Sequence, residues 1–244
     1  ITLPLSATAA HGAITHLLVT TKAYDVAPAV AAVAQRLTPA TQLLLMVNGM
    51  GLAERLAAQY PGLDLFCGIT TAGAYRTGPL QIRQAGRGTT RIGSLQRATP
   101  PAWLPDWTRS IDACAWEPAL EAALWHKLAI NCAINPLTAL HRCRNGELSS
   151  RPELARHVRA LCAEISRVST AAGYHDTAAT LLDAVSGVIA GTAANRSSML
   201  QDVMAGRRTE IEQITGYLLQ VAAEHRIDTP LNRQLLQEIT RLAN

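Results

Sequence analysis

Apolar and polar positions follow two different rhythms along this chain, and the rhythm changes near residue 117. Before it, short apolar runs alternate with short helical patterns. HLLVTT (16–21), QLLLMV (42–47) and LFCGIT (65–70) read as strands. Asp25 to Leu37 and residues 52–59 carry apolar residues at helical spacing. Continuous apolar strands alternating with helices predict a parallel sheet covered on both faces. LQIRQAG (80–86) and TTRIGSL (89–95) read as an antiparallel pair, followed by a short helix around 102–110 and a strand at 111–116.

From about Glu117 onward no convincing strand occurs. Helices are expected at roughly 118–142, 152–172, 177–194, 197–205, 209–225 and 231–243. Ser150-x-x-Glu153 and Thr209-x-x-Glu212 have the form of capping boxes. The Pro- and Trp-rich segment TPPAWLPDW through WEP marks a boundary. The fold class expected is α/β followed by all-α, with one domain over 1–117 and a helical one over 118–244. No internal repeat or low-complexity tract is present.

Composition narrows the function classes. The chain has 244 residues, 48% hydrophobic and 16% charged, which fits a globular protein and not a disordered one. The net charge of +4 comes from scattered arginines, and Arg207-Arg208 is too short and too poor in aromatics to grip nucleic acid. Five cysteines, an odd number without C-x-x-C, imply reduced, buried thiols and a cytosolic setting. No run approaches the ~20 apolar residues of a membrane span, and no signal peptide is visible. No Cys/His cluster has metal-ligand spacing.

Candidate chemistry concentrates in three places. In an open parallel sheet, ligands bind at the carboxyl ends of the strands. Here those ends read Thr20-Thr21-Lys22, Asn48-Gly49-Met50-Gly51 and Thr70-Thr71-Ala72-Gly73. Each alone is an ordinary polar turn; three at one sheet edge point to a cofactor cleft. The second place is WHKLAINCAINPLTAL (125–140), where Lys127, Asn131 and Asn135 recur every four residues. At ~100° per residue they drift only about 40° per step and share a helix face. Asn is a poor helix former, so its repetition on an apolar helix needs a reason beyond solvation. Pro136 should kink or end that helix. His126 points about 100° away and reads as structural.

Lysine usage supports the same spot. Only Lys22 and Lys127 occur, and the other twenty of the 22 basic residues are arginine. Where only positive charge matters, such a chain uses arginine. A lysine is kept where a compact, deprotonatable ammonium is needed. The third place is Asn195-Arg196-Ser197-Ser198-Met199 followed by Thr209-Glu210-Ile211-Glu212. On local evidence Ser198 is a helix-start residue and Glu210 complements a helix dipole.

Together LLVTTKAYDV, VNGMG, WHKLAINCAINPLTAL with the following RNGEL, NRSSMLQD and RRTEIEQITGYLL resemble the ketopantoate reductase (2-dehydropantoate 2-reductase) family over almost the whole chain. The Lys-x-x-x-Asn-x-x-x-Asn-Pro helix is the most diagnostic part. The resemblance implies a Rossmann-type domain binding NADP(H), a helical domain, and catalysis between them. It implies reduction of 2-dehydropantoate to pantoate, on the route to pantothenate and coenzyme A. The family's catalytic lysine falls on Lys127 and its active-site glutamate on Glu210. Its substrate-binding residues fall on Asn131, Asn135, Asn145 and Ser198. Its cofactor-side residues fall on Lys22, Asn48 (also near substrate) and Ala74. The partner implied is a small molecule, with the protein a monomer or homodimer.

One departure is evident. The family's G-x-G-x-x-G and first βαβ unit are absent, and the chain opens ITLPLSATAAHG without an initiator methionine. The expectation is an incomplete Rossmann-like domain that the chain enters after that unit. Two other readings stay open on the residues alone: a reductase of another small 2-keto acid, and a truncated, non-catalytic binding remnant.

Overall fold

A computed structural model describes residues 12–78 and 81–242. The opening ITLPLSATAAH, with the expectation attached to it, lies outside the described residues, as does Leu80 of the predicted strand. Among the described residues, five strands form the main sheet: β1 (His16–Val19), β2 (Gln42–Leu45), β3 (Asp64–Thr70), β6 (Thr90–Gly93) and β7 (Cys114–Trp116). Their spatial order is β1-β2-β3-β6-β7. β1, β2 and β3 run parallel; β6 is antiparallel to β3, and β7 parallel to β6.

Strand alternation explains why the sheet is buried on both faces at β2 and β3, while at the edge strand β1 one face is open and Leu18 is 50% exposed. Leu43, Leu45, Leu65 and Cys67 join Val26, Val30 and Leu56 in one cluster. Those three come from helices α1 (Val26–Ala31) and α2 (Leu52–Gln59). Leu44, Phe66 and Ile92 face the other way, onto Leu104 and Trp103. Leu104 opens α3 (Leu104–Ser110). Trp103 meets the Phe66 ring edge-on, with centroids 5.2 Å apart, and Trp116 does so at 6.4 Å.

Two expectations for this half are corrected. Residues 81–86 do not pair with 89–95. β5 (Gln81–Gly86) pairs instead with β4 (Gly73–Gly78) in a separate two-stranded sheet. β6 is held in the main sheet because its Ile92 is fully buried beside Phe66. The helix expected over 25–37 is broken into a 3-10 turn (Ala23–Asp25), α1, and another 3-10 turn (Ala34–Arg36). Val26 and Val30 are its buried anchors; beyond them the alanines have no face to bury, and the α-helix stops.

The second half packs around α4 (Leu120–Leu140), which buries Trp125, Leu128, Cys132 and Leu137 among other residues. Around it lie α5 (Glu147–Ser150), α6 (Pro152–Ala171), α7 (His175–Gly191), α8 (Ser198–Met204), α9 (Tyr217–Glu224) and α10 (Pro230–Leu242). As the expected span of 118–142 required, α4 runs through Pro136, so of the two roles foreseen for that proline, ending the helix is excluded. The N–H that Pro136 lacks would have met the Cys132 carbonyl, and in the following turn the Thr138 hydroxyl lies 3.0 Å from each of the Ile134 and Asn135 carbonyls. Burial of Leu137 and Ala139 helps offset the roughly 3 kcal/mol a mid-helix proline costs.

Neither predicted capping box forms. α6 opens at Pro152 without a side-chain cap, and Glu153 pairs with Arg151 at 2.9 Å. Glu212 pairs with Arg208 at 2.9 Å, and the segment continues as a π-helix, Glu212–Gly216, before α9. Two other residues do cap. Ser197 Oγ accepts from the Leu200 amide at 3.1 Å. Glu164, on α6, accepts from the Leu231 and Asn232 amides at 2.9 and 3.0 Å, closing the start of α10 from outside. All five cysteines are free; Cys67, Cys132, Cys143 and Cys162 are buried and Cys114 is half-buried. Among the described residues, no helix is long and apolar enough to cross a membrane.

Candidate functional site

The strands deliver their polar ends to one place. A cavity of about 920 Å³ is lined by Thr20, Thr21 and Lys22 after β1, Met46, Val47 and Asn48 after β2, and Gly68 and Thr70 of β3. Ala74 and Ile82 of the β4–β5 hairpin close one side. The opposite wall comes from the helical half: Lys127 of α4, Ser198, Gln201, Asp202 and Met204 of α8, and Arg207 and Glu210 beyond it. Gly68 is small for a reason, since a Cβ there would collide with Met46 Sδ. Gly49 sits at φ +89°, which turns the chain sharply after Asn48.

Glu210 ties the two halves together. It is 4% exposed. It accepts from the Ala23 amide at 3.0 Å and from Asn48 Nδ2 at 3.2 Å, and its carboxylate lies 3.5 Å from Lys22 Nζ. The local reading as a dipole complement is therefore corrected: Glu210 precedes the helix and faces across the cleft. Lys22 is shared with Asp202, which it contacts more closely, and Asp202 also pairs with Arg207 at 3.0 Å. Burial works to lower the basicity of Lys22. Its bond to Asp202 and the charges of Glu210 and Asp202 outweigh burial and hold its pKa above the ordinary value.

Lys127 stands in the opposite condition. Burial on α4 pushes its pKa below the ordinary lysine value, and the charge of Glu210 only partly opposes this. Among the described residues, no hydrogen bond or ion pair engages its ammonium. A desolvated ammonium near a carboxylate, on a large cavity at strand carboxyl ends, can give a proton to a nearby oxygen. His126, next in the chain, turns its Nδ1 to within 3.4 Å of Thr177 Oγ1.

Of the residues singled out from the sequence, Lys22, Asn48, Ala74, Lys127, Ser198 and Glu210 line the cavity. Ser198 opens α8, but the capping bond is made by Ser197. Asn131 is half-buried on α4 and Asn135 is 8% exposed; neither is on the cavity wall. Asn145 lies apart, its Nδ2 donating to Thr192 Oγ1 at 2.8 Å while its buried Oδ1 has no partner among the described residues. The sequence reading missed Asp202 and Arg207. Asp202 follows Ser198 by one helical turn, a same-face spacing that could have drawn notice.

Comparison with known proteins agrees with this architecture. Residues 2–97 match the family model described as "Ketopantoate reductase PanE/ApbA", and residues 119–243 match "Ketopantoate reductase PanE/ApbA C terminal". A 2-dehydropantoate 2-reductase of Yersinia pestis is 42% identical over 228 residues, covering 92% of this chain and 73% of the relative. One from Halobacterium salinarum is 35% identical over 231 residues, covering 93% and 75%. Among solved structures, a probable 2-dehydropantoate 2-reductase of Bacillus subtilis is 28% identical with TM-score 0.79, covering 96% of this chain and 79% of that one. A PanE/ApbA family ketopantoate reductase of Ralstonia eutropha JMP134 superimposes with TM-score 0.81 at 23% identity, covering 94% and 76%. With both family models matched, a two-part architecture in common and identities up to 42% over most of its length, the chain belongs to the ketopantoate reductase family.

Proposed function

We propose that this protein reduces 2-dehydropantoate to pantoate with NADPH, in the supply of pantothenate and coenzyme A. The active site is the cleft between a cofactor domain (1–117) and a substrate domain (118–244). The observation that carries the reading is a single one. Lys127, desolvated and without a protein partner among the described residues, borders the cavity that Lys22, Asn48 and Glu210 also line.

The residues present fit a nicotinamide cofactor. The cavity lies at the carboxyl ends of parallel strands, its Gly68 floor lacks a side chain, and about 920 Å³ exceeds what a small keto acid needs. Lys22, Asn48 and Ala74 would hold that group, which supplies the hydride when bound. Lys127 then stabilises the charge growing on the ketone oxygen and gives it a proton, so the carbonyl becomes a secondary alcohol. Glu210 orients substrate and keeps the lysine protonated long enough to act. Asn48 and Ser198, on the cavity wall, bind the hydroxyl and carboxylate groups of the substrate; Asn131, Asn135 and Asn145, which lie off that wall in this structure, would complete the substrate site on binding. Five free cysteines fit a reducing compartment such as the cytoplasm.

The test follows NADPH oxidation with 2-dehydropantoate and with other small 2-keto acids. Lys127→Ala should lower kcat by about 10²–10⁴-fold, the range of general acid catalysis, with the denaturation midpoint little changed. Near-normal turnover in that variant would reject the assignment. A preference for a different keto acid would reject the substrate.

A further inference from the structure

Asp202 has no part in the scheme above, yet it is among the most deeply placed charges in the protein. Its side chain is 2% exposed. One oxygen contacts Lys22 Nζ; the other accepts from Arg207 Nε at 3.0 Å and lies 3.0 Å from Arg207 Nη2. A buried carboxylate is costly unless paired, and this one is paired from both halves of the molecule. Lys22 is thus divided between two carboxylates, close to Asp202 and 3.5 Å from Glu210. Glu210 is in turn the charge felt by Lys127. The other charged groups on the cavity wall are Arg196 and Arg207, while the ring of His126 is turned to Thr177.

We propose that Asp202 is a positioning residue: by drawing Lys22 toward itself and Arg207, it leaves the charge of Glu210 available to Lys127. The proposal rests on Lys127 as the proton donor. The physical basis is competition between two anions for one cation. With Asp202 neutral, Lys22 would settle on Glu210 and cancel much of its field. With Lys22 removed, Glu210 would act on Lys127 unopposed. The two changes therefore move Lys127 in opposite directions, which a merely structural loosening would not do.

Because the chain contains only two lysines, both can be followed directly. Protein labelled with ¹³C at lysine Cε should give two side-chain signals, titrated by NMR without any ligand. Asp202→Asn should move the Lys127 midpoint down by about one pH unit, and Lys22→Met should move it up by a similar amount, typical of one nearby charge gained or lost. Asp202→Glu should restore most of the shift. In turnover, the alkaline limb of kcat should follow the same two directions. A Lys127 signal unmoved by Asp202→Asn, or moved the same way by both variants, overturns the proposal. Should Asp202→Asn fail to fold, Lys22→Met decides alone, and no upward shift there overturns it. If the NMR shifts occur but the wild-type protein does not reduce 2-dehydropantoate, that substrate falls while the hold of Asp202 on the charge around Lys127 stands. If turnover occurs without the shifts, the role of Asp202 falls and the functional reading stands.

Discussion

Asn135 is 8% exposed, and among the described residues its carboxamide makes no hydrogen bond to protein. Neither its Nδ2 nor its Oδ1 is among the fully buried unpaired atoms, so the amide is open to a partner from outside the chain. A helix-ending role is removed, since α4 continues four residues past Pro136 to Leu140. Asn135→Ala should therefore raise KM for the keto acid by about 10- to 100-fold, the worth of a hydrogen bond to a charged group, with kcat less affected. Steady-state kinetics would show it, and an unchanged KM would return Asn135 to a packing role. At this scale the sequence was informative where composition made a residue rare. Two lysines among twenty arginines stand out, as do two asparagines on an apolar helix. Asp202 did not stand out, because its meaning depends on Lys22, 180 positions away. The local pattern around Glu210 gave only a helix-dipole role for the same reason, since three groups it binds come from the other half of the chain; the family resemblance alone placed it in the site.

Elements were legible where an apolar period had a surface to bury against. α2, α4, α6 and α10 fall close to their expected bounds. β4 was missed because Gly73, Ala74 and Gly78 give no β-propensity signal, and the strand exists through its pairing with β5. The caps show how tertiary partners override local motifs. Both S/T-x-x-E patterns are idle, while Glu164 caps α10 from a different helix. Glu164→Ala would strip the Leu231 and Asn232 amides and Asn232 Nδ2 of their acceptor. Such orphaned buried groups cost about 1–3 kcal/mol each before water relieves them. A loss of about 3 kcal/mol in denaturant unfolding is expected, with kcat retained in the folded fraction. A loss below about 0.5 kcal/mol would show that α10 does not depend on this carboxylate.

For the whole molecule, the sheet half and the helical half meet where β2 ends. The Met50 amide donates to the Gln213 carbonyl at 3.4 Å, and Gly49 beside it has no room for a side chain. A Cβ there would lie 2.5 Å from the Gln213 oxygen and 2.8 Å from its Cβ. Gly49→Ala should therefore wedge the halves apart and misplace Asn48 against Glu210. Catalytic geometry displaced by about 1 Å can cost ~10²-fold. A fall in kcat/KM of at least about tenfold is expected, with the circular dichroism spectrum unchanged. Full activity would mean that this seam yields without cost. The two-part plan was readable from the change of rhythm near residue 117, but the meeting of the halves was not, because no local pattern encodes which turn touches which helix.

The wide turn at Glu212–Gly216 also bears on how the chain can change length. A π segment holds one residue more than the regular coil it interrupts. The wide turn absorbs that surplus, so taking one residue out of it can leave both flanks in place, whereas the same deletion in the regular coil of α9 would rotate everything upstream by about 100°. After such a deletion in α9, Glu210 would swing away from Ala23 and Asn48 although its own codon was untouched. The five-residue window is thus where the chain tolerates losing a residue, and α9 beside it is where the same loss would reach the cleft, a contrast that a substitution scan would never reveal.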